Sequence, residues 1–246
     1  MNNNFITAGF IIIGDEILSG RTVDQNLNFL AKNLSEIGII LKEVRVVGDI
    51  EAEIISTINE LRNKYNYIFT SGGIGPTHDD ITSMSVAKAF NQPLILNDIA
   101  KKILIHHYGE NNVNEARMKM AYLPKNASLL DNPVSSAPGF VIENVFVMAG
   151  VPKIFQAMFK ASINFLKTGE KILSRELKIS LTESIIAKDL SNLQLQFPDI
   201  SMGSYPFEGG TSLVFRGVNS SMLSQALELM IFCINKINKN EKIEIL

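Results

Sequence analysis

A ten-residue segment, Ser71–Asp80, places glycines beside carboxylates. Glycine lets the backbone adopt conformations closed to other residues and approach a ligand closely. A glycine-rich turn that leads into a helix presents free amides at the positive end of the helix dipole, which suits a phosphate. In the alternative interpretation this is a plain strand-to-helix turn, in which Thr77 caps the helix and Asp80 is its capping-box partner. The glycines expected to contact a ligand are Gly72, Gly73 and Gly75.

Two adjacent carboxylates, Asp79 and Asp80, close this segment. One carboxylate is enough to cap a helix, so the second needs another explanation. A phosphate beside them would be repelled by about 4 kcal/mol per charge pair at ~4 Å and an effective dielectric near ~20. The helix dipole offsets less than about 1 kcal/mol of this repulsion. A bridging divalent cation such as Mg²⁺ resolves the conflict, so the segment predicts a bound metal together with a bound anion.

A second acidic segment, Gly14–Asn26, follows the apolar run Ala8–Ile13. Asp15 and Glu16 come directly after this predicted strand. Carboxylates gathered at strand ends indicate a metal site or perturbed proton affinities. Asp49, after the next predicted strand, is interpreted instead as a turn or cap residue.

Three other features are weaker signals. Arg117 could clamp a phosphate with two hydrogen bonds, although its spacing alone favours a solvated helix arginine. Ser136 lies in the rigid loop Asn132–Gly139 and could hydrogen-bond a ligand, although the loop by itself is a turn. The adjacent residues His106 and His107 point about 100° apart on a helix and are interpreted as structural.

The elements that must position these residues alternate between short β-rich runs and amphipathic helices over the first two thirds of the chain. This alternation of strands and helices predicts a mostly parallel sheet with helices on both faces. Ligands of such sheets bind beyond the carboxyl ends of the strands, so the loops that open at Gly14, Gly48 and Ser71 should share one rim. A βαββα pattern then follows. We therefore predict a three-layer α/β/α domain over residues 1–168 and a small α+β subdomain over residues 169–246.

The composition sets broad limits on function. The chain has 246 residues, 46% of them hydrophobic and 20% charged, which is ordinary for a globular protein. A formal net charge of -2 gives no electrostatic reason to expect nucleic acid or a membrane as partner. Cys233 is the single cysteine, so an intrachain disulfide is excluded and a cytoplasmic location is expected. The first apolar run is too short to cross a bilayer.

The motifs resemble the CinA family, the competence/damage-inducible protein A group. The Gly-Gly-x-Gly-Pro-Thr-x-Asp-Asp string is the most specific of them, and the similarity extends over nearly the whole chain. The matching segments are Gly14–Asn26, Val47–Asp49, Ser71–Thr82, Asn114–Ala121, Ser136–Phe140, Gly150–Pro152, Glu183–Ser184 and Gly203–Pro206. The resemblance implies a MoaB/Mog (molybdopterin-binding-like) domain, similar to the N-terminal domain of eukaryotic FAD synthases. It also implies divalent-metal-dependent cleavage of ADP-ribose or FAD.

The residues and the resemblance together give one leading hypothesis, a metal-dependent nucleotide pyrophosphatase. The expected catalytic residues are Asp15, Glu16, Asp79 and Asp80. The expected metal ligands are Glu16, Asp79 and Asp80, with Mg²⁺, Mn²⁺ or Co²⁺ as the metal and K⁺ as an additional candidate cation. The expected substrate contacts are Gly14, Asn26, Ser71, Gly72, Gly73, Gly75, Thr77, Arg117 and Ser136. A homo-oligomer, dimer or trimer, is expected from the resemblance and the extra α+β unit.

Two alternatives remain open at this point. The first is a protein that binds or adenylylates molybdopterin. The second is a nucleotide- or pterin-binding module without catalysis, because Ile154 stands where the family usually has an acid. Ser135, Met148 and Ala149 also depart from the family pattern, and these changes resemble its short, FAD-synthase-linked branch. Longer members carry a C-terminal deamidase domain, and this sequence predicts no deamidase activity.

Overall fold

A computed structural model describes residues 5–246, which divide into two compact units between Gly169 and Glu170. The sequence places this boundary one residue earlier. The first unit is built around two buried clusters and the second around a third. No helix of the described residues is both long and apolar enough to cross a membrane.

The first unit alternates strands and helices as expected. Its elements are β1 (Ile6–Ile13), α1 (Asp15–Leu18), α2 (Asn26–Glu36), β2 (Ile39–Val47), α3 (Glu51–Lys64), β3 (Tyr67–Ser71), α4 (Thr82–Ala89), β4 (Leu94–Leu96), α5 (Asp98–Tyr108), α6 (Glu115–Lys119), β5 (Tyr122–Pro124), β6 (Ser128–Leu130), β7 (Gly139–Ile142), β8 (Val145–Met148) and α7 (Pro152–Ser162).

Six of these strands form one sheet in the order β2-β1-β3-β8-β7-β6. The pairs β2–β1, β1–β3 and β3–β8 are parallel, whereas β7 runs antiparallel to both of its neighbours. β4 and β5 form a separate two-stranded antiparallel pair. The mostly parallel sheet predicted from the sequence is therefore confirmed.

The sheet is covered on both faces, which accounts for its continuous apolar strands. Ile11 and Ile13 of β1 pack in a cluster with α3, α4 and α5. Phe10 and Ile12, which point to the opposite face, pack in a cluster with α2 and α7. Both clusters include residues that are fully buried, and together they give the predicted three-layer α/β/α arrangement.

The carboxyl ends of four parallel strands meet at one rim. Gly14, Gly48 and Gly72 follow β1, β2 and β3, and the Ala149–Pro152 turn follows β8. Two backbone hydrogen bonds hold this rim together. The amide of Gly14 donates to the carbonyl of Val47 over 3.1 Å, and that of Gly72 donates to the carbonyl of Met148 over 3.0 Å.

The structure corrects the predicted local geometry of the glycine segment. Helix α4 begins at Thr82, and no side chain caps its N-terminus at Ile81. Thr77 lies five residues earlier and donates from its amide to Oδ2 of Asp80 over 2.8 Å. The helix-capping interpretation of Thr77 and Asp80 is thus wrong, because both residues stabilise the loop before the helix.

The second unit has the predicted βαββα order and one additional strand. Its elements are β9 (Leu173–Ile179), α8 (Glu183–Gln196), β10 (Ser201–Phe207), β11 (Gly210–Gly217), α9 (Ser220–Ile237) and β12 (Glu244–Ile245). The strands form an antiparallel sheet in the order β10-β11-β9-β12. Leu177, Leu213 and Phe215 of this sheet are buried in a cluster with residues of α8 and α9.

Candidate functional site

One cavity at the rim, which we call the acidic cavity, gathers all four predicted catalytic carboxylates. Its volume is about 610 Å³. It lies at the ends of β1, β2 and β3, and a fifth carboxylate, Asp49, belongs to its wall. The residues that line it are Ile13, Gly14, Asp15, Glu16, Ser19, Arg21, Thr22, Asp49, Gly73, Asp79 and Asp80.

A second cavity of about 590 Å³, the glycine cavity, adjoins the first. Its lining is mainly apolar and includes the three glycines of the loop after β3. Its residues are Glu16, Thr22, Gly72, Gly73, Ile74, Gly75, Pro76, Asp80, Tyr108, Arg117, Met120, Asn132, Ser135, Ala137, Ala149, Gly150, Val151, Pro152, Ile154 and Met158. Four residues line both cavities: Glu16, Thr22, Gly73 and Asp80. The two cavities therefore share a boundary, and we call the pair of them the groove.

Asp49 is the carboxylate that the sequence analysis missed. Its Oδ2 atom accepts a hydrogen bond from the amide of Asp15 over 3.0 Å. Partial burial raises the pKa of the Asp49 carboxyl, and repulsion from the carboxylates of Asp15, Glu16 and Asp79 adds to the effect. The signal was present in the sequence, because Asp49 follows a strand that neighbours β1 in a parallel sheet.

Asp79 and Asp80 are held by one threonine. The hydroxyl of Thr77 shares its one proton between the two carboxylates and lies 2.6 Å from Oδ2 of Asp80. This hydroxyl is the main cause of the lowered pKa of Asp79. Lys119 donates to the carbonyl of Thr77 and so connects α6 with the same loop. Thr77 itself lines neither cavity, and the structure shows it as a support for the two acids.

The glycine loop requires its glycines at two positions. Gly72 has φ of 108°, and a Cβ atom there would lie 2.1 Å from the carbonyl oxygen of Ile13. Gly73 has φ of 68°, and its Cβ would lie 2.1 Å from the hydroxyl oxygen of Thr82. Any other side chain at these positions would force the loop away from the rim.

Only two of the three predicted glycine amides are free to bind a ligand. The amide of Gly72 already donates to Met148, so its prediction as an amide donor is wrong. The amides of Gly73 and Gly75 have no hydrogen-bond acceptor within the described chain. Gly72 nevertheless lines the glycine cavity, where its missing side chain leaves room for a ligand.

Arg117 lies on the wall of the glycine cavity, as a phosphate clamp would require. Its guanidinium carbon lies 4.2 Å from the centre of the Tyr108 ring, and one of its terminal nitrogens donates to the carbonyl of Asn112 over 2.6 Å. These contacts fix the side chain in one place. Its contact with a phosphate stays a prediction.

Ser136 does not line either cavity. Its hydroxyl is 3.0 Å from Nδ1 of His107, on the end of α5. Ser135 and Asn132 line the glycine cavity instead, and the amide nitrogen of Asn132 donates to the Ser135 hydroxyl over 2.7 Å. Of the two neighbouring serines, Ser135 lies on the cavity wall, and Ser136, the predicted substrate contact, does not.

Asn26 and Ser71 are buried beneath the groove. The amide nitrogen of Asn26 donates to the Ser71 hydroxyl over 2.8 Å. Neither residue is among those that line the two cavities. Gly14, by contrast, lies on the acidic wall directly beneath Glu16, because a Cβ atom at Gly14 would lie 2.4 Å from a carboxylate oxygen of Glu16.

The predicted metal ligands share a cavity without forming a complete ligand set. Within residues 5–246, no three carboxylate, histidine or cysteine side chains are grouped to hold a metal ion. Glu16, Asp79 and Asp80 still offer the hard oxygen ligands that Mg²⁺ and Mn²⁺ use. A magnesium ion commonly takes only one or two carboxylates and completes its shell with substrate phosphates and water. The residues fit a metal that arrives with a phosphate.

Comparison with known proteins decides the family. The family model described as "Probable molybdopterin binding domain" matches residues 9–168. The protein CinA from Thermoplasma acidophilum, a crystal structure of unknown function, matches with a TM-score of 0.63 and 33% identity over 66% of this chain and 99% of that one. The chain belongs to the CinA family. The family model described as "FAD synthase, middle domain" matches residues 171–237 of this CinA-family protein, which covers most of its second unit.

Relatives differ in how much of their length this CinA-family chain covers. A Pyrococcus abyssi protein is 35% identical over 241 residues, which is 91% of this chain and 95% of that protein. A Clostridium botulinum relative is 33% identical over 219 residues, which is 84% of this chain but only 53% of its own length. The chain thus spans about half the length of that relative.

The apolar wall of the glycine cavity is the other part of the site that sequence reasoning missed. Ile154 and Met158 come from the first turns of α7, Tyr108 is the last residue of α5, and Met120 follows α6. In the sequence Ile154 and Met158 read only as an apolar helix face. The available signal was Gly150–Pro152, which follows β8 at the same rim as the glycine loop.

Proposed function

We propose that this protein hydrolyses the diphosphate bridge of a nucleotide such as ADP-ribose or FAD, with a divalent cation. One observation carries the proposal: a glycine cavity with free amides and an apolar wall adjoins a cavity lined by five carboxylates and shares four lining residues with it. Each cavity falls in the range of volumes that bind a drug-sized ligand. Together they offer an apolar place for a base or flavin ring and an acidic place for the reacting phosphate.

The boundary between the cavities is where the diphosphate would lie. The amides of Gly73 and Gly75 would donate to its non-bridging oxygens. Glu16 and Asp80, which line both cavities, would face the same phosphates from the acidic side. Arg117 would balance the charge that develops on the departing phosphate.

The acids divide into those beside the diphosphate and those that support them. Glu16, Asp79 and Asp80 would hold the cation or orient the attacking water, and Asp15 would support them. When bound, the cation would neutralise phosphate charge and lower the pKa of a coordinated water. The attacking water adds its oxygen to one phosphorus as the bridging P–O bond breaks. The products are two phosphate monoesters, one of which is AMP.

The electrostatics of the groove support the proposal of a bound cation. A diphosphate that approaches five carboxylates is repelled by each of them, and Arg21 is the one cationic residue on the acidic wall within the described part of the chain. Burial raises the pKa of Asp49, and repulsion from Asp15, Glu16 and Asp79 raises it further in the absence of any ligand. A divalent ion between the acids and the phosphates replaces this repulsion with attraction.

The test is release of AMP from ADP-ribose or FAD by the purified protein with Mg²⁺, Mn²⁺ or Co²⁺. The Asp80→Asn variant should lose at least about 100-fold in kcat/KM, equivalent to about 2.7 kcal/mol of transition-state stabilisation. Asp199→Asn, which changes an exposed acid of the second unit, should retain full activity. Equal activity in Asp80→Asn and the wild type would count against the assignment.

A molybdopterin-handling protein is the second candidate. The match of the first unit to a molybdopterin-binding family model favours it, and an apolar cavity beside an acidic one also suits a pterin with its phosphate. This candidate predicts ATP-dependent transfer of AMP to the pterin with no cleavage of ADP-ribose or FAD. If the protein binds ADP-ribose in calorimetry but turns over none of these substrates with any metal, it is a binding module.

A further inference from the structure

Asn26 stands where three rim segments meet. It is the first residue of α2 and ends the acidic segment that carries Asp15 and Glu16. Its amide nitrogen donates to two acceptors, the Ser71 hydroxyl over 2.8 Å and the Gly150 carbonyl over 2.8 Å. One side chain thereby joins the segment after β1 to the last residue of β3 and to the turn after β8.

The burial of Asn26 shows that these bonds matter. The residue is only 2% exposed, and its bond to the Ser71 hydroxyl is shielded from water, whereas Gly150, the other acceptor, lies at the surface. Its carbonyl oxygen is also buried and has no donor among the described residues. A buried acceptor without a donor is unfavourable, and a smaller apolar residue would avoid that cost. The two donated bonds are the feature that such a residue would lose.

The hydrogen-bond partners of Asn26 lie beside residues that line the glycine cavity. Ser71 precedes Gly72, and a Cβ atom on Gly150 would lie 3.4 Å from the Cα atom of Gly72. Gly72 and Gly150 both line the glycine cavity, whereas Asn26 does not. A shift of Asn26 would move the acidic segment, with Glu16, relative to the glycine loop.

We propose that Asn26 is a positioning residue, which holds the acidic segment in register with the glycine loop without touching the ligand. This inference rests on the proposed function for its catalytic consequence and replaces the expectation that Asn26 contacts substrate. It gives Glu16 and Asp80 a fixed separation across the boundary of the two cavities. Such positioning acts on the rate of the chemical step, because small displacements of reacting groups strongly reduce it.

The first test needs no substrate. Arg21 lies on the exposed part of the acidic segment, and trypsin cleaves the bond that follows it. In Asn26→Ala this cleavage should accelerate about tenfold, because proteolysis follows the population of the opened segment. Asn33→Ala is the matched control, since Asn33 lies on the same helix and its side chain, among residues 5–246, donates only to the carbonyl of Phe29. An unchanged rate in a folded Asn26→Ala protein would overturn the proposal.

Ser71→Ala provides a second test of the same hydrogen bonds if Asn26→Ala does not fold. Ser71→Ala removes one of the two acceptors and leaves the bond to Gly150. It should accelerate cleavage after Arg21 about threefold, less than the loss of both bonds. A folded Ser71→Ala protein with wild-type cleavage would contradict the role given to this hydrogen bond.

The kinetic test separates positioning from substrate contact. Asn26→Ala should lower kcat about tenfold and leave KM for ADP-ribose or FAD within about twofold. A large rise in KM with an unchanged kcat would show that Asn26 binds the substrate, and would overturn the proposal. If the wild type cleaves no diphosphate, the proposed function fails, while the protease experiment still decides whether Asn26 holds the rim.

Discussion

The amide of Asp15 donates to Oδ2 of Asp49 over 3.0 Å, and this bond joins the ends of two neighbouring parallel strands. In return the amide of Asp49 lies 3.4 Å from Oδ1 of Asp15. Each acid therefore orients the other while their charges repel. This relationship places a fifth carboxylate on the acidic cavity and sets the electrostatics of the groove.

Replacing Asp49 with asparagine should stabilise the protein and weaken its activity. The pKa of Asp49 is raised in the folded state, so its ionised form costs stability at neutral pH, and that cost disappears as the pH falls through the folded pKa. Asp49→Asn keeps an acceptor for Asp15 and removes the charge. We expect Tm at pH 7 to rise on the order of 1 °C or more, with no gain below pH of about 3.8.

The same variant should also be less active. Asp49→Asn should lower kcat/KM by about tenfold or more, because it removes one of the charges that attract the cation. Thermal unfolding at the two pH values and kinetics on the same samples measure both effects. A variant less stable than the wild type at pH 7 would show that the cost of ionising the buried Asp49 does not govern its effect on stability.

The hydrogen bonds of Glu43, which lies outside both cavities, predict that the folded protein loses stability in acid. Its carboxylate accepts hydrogen bonds from Arg45, Lys64 and the hydroxyl of Tyr65, each over 2.7 Å. These bonds, with that from Lys64 as the largest cause, lower the pKa of Glu43 to about 2. The lowered pKa means that the stabilisation is full above the unfolded value near 4.5 and is lost as the pH falls toward 2.

The Glu43→Gln variant tests this network. Its free energy of unfolding should fall by about 1 kcal/mol at pH 7, with little difference from the wild type near pH 2. Denaturant unfolding at both pH values measures it. Diphosphate hydrolysis should be unaffected, since Glu43 lines neither cavity. A stability difference that stays constant with pH would exclude ionisation as its cause.

Much of this fold follows from the pattern of the chain. The run Ala8–Ile13 predicts a strand buried on both faces, and β1 occupies the interior of the sheet. The order of strands and helices also predicts the rim, since neighbouring parallel strands end at the same edge. The fold class and the CinA resemblance are both confirmed.

The details that failed depend on contacts between distant residues. Thr77 has the spacing of a helix cap, but the loop continues to Ile81 because the amide of Thr82 bonds the carbonyl of Gly73. The hydrogen bond between Gly72 and Met148 likewise requires β8 beside β3, a pairing between residues far apart in the chain. Local sequence patterns do not encode such partners, so loop geometry was the least predictable part of the site.

Gly73 should tolerate no side chain. In Gly73→Ala the new methyl group would meet the Thr82 hydroxyl, and φ of 68° would add strain. We expect a loss of about 2–4 kcal/mol of stability, together with loss of diphosphate hydrolysis. Gly20→Ala is a matched control, because Gly20 has φ of 73° but open space around its Cβ position. Its cost should be about 1–2 kcal/mol, and equal costs in the two variants would rule out the steric contact.

Arg117 should act on the rate of cleavage. Arg117→Ala removes the guanidinium that stacks on Tyr108, and we expect kcat to fall about 10- to 100-fold. Arg117→Lys keeps a charge but loses the planar contact with the ring, so it should recover only part of the rate. Steady-state kinetics of the two variants measure this. Wild-type kcat in Arg117→Ala would assign the residue to packing alone.

The central claim is that the carboxylates and the glycine loop form one site, which takes a diphosphate only together with a divalent cation. Calorimetric titration of ADP into the purified protein, with Mg²⁺ and then with EDTA, tests it most directly. We predict binding that is at least about tenfold tighter with Mg²⁺ and a reciprocal gain in Mg²⁺ affinity with ADP, with both gains absent in Asp80→Asn. ADP that binds equally well in EDTA, or equally well to Asp80→Asn, would contradict the account.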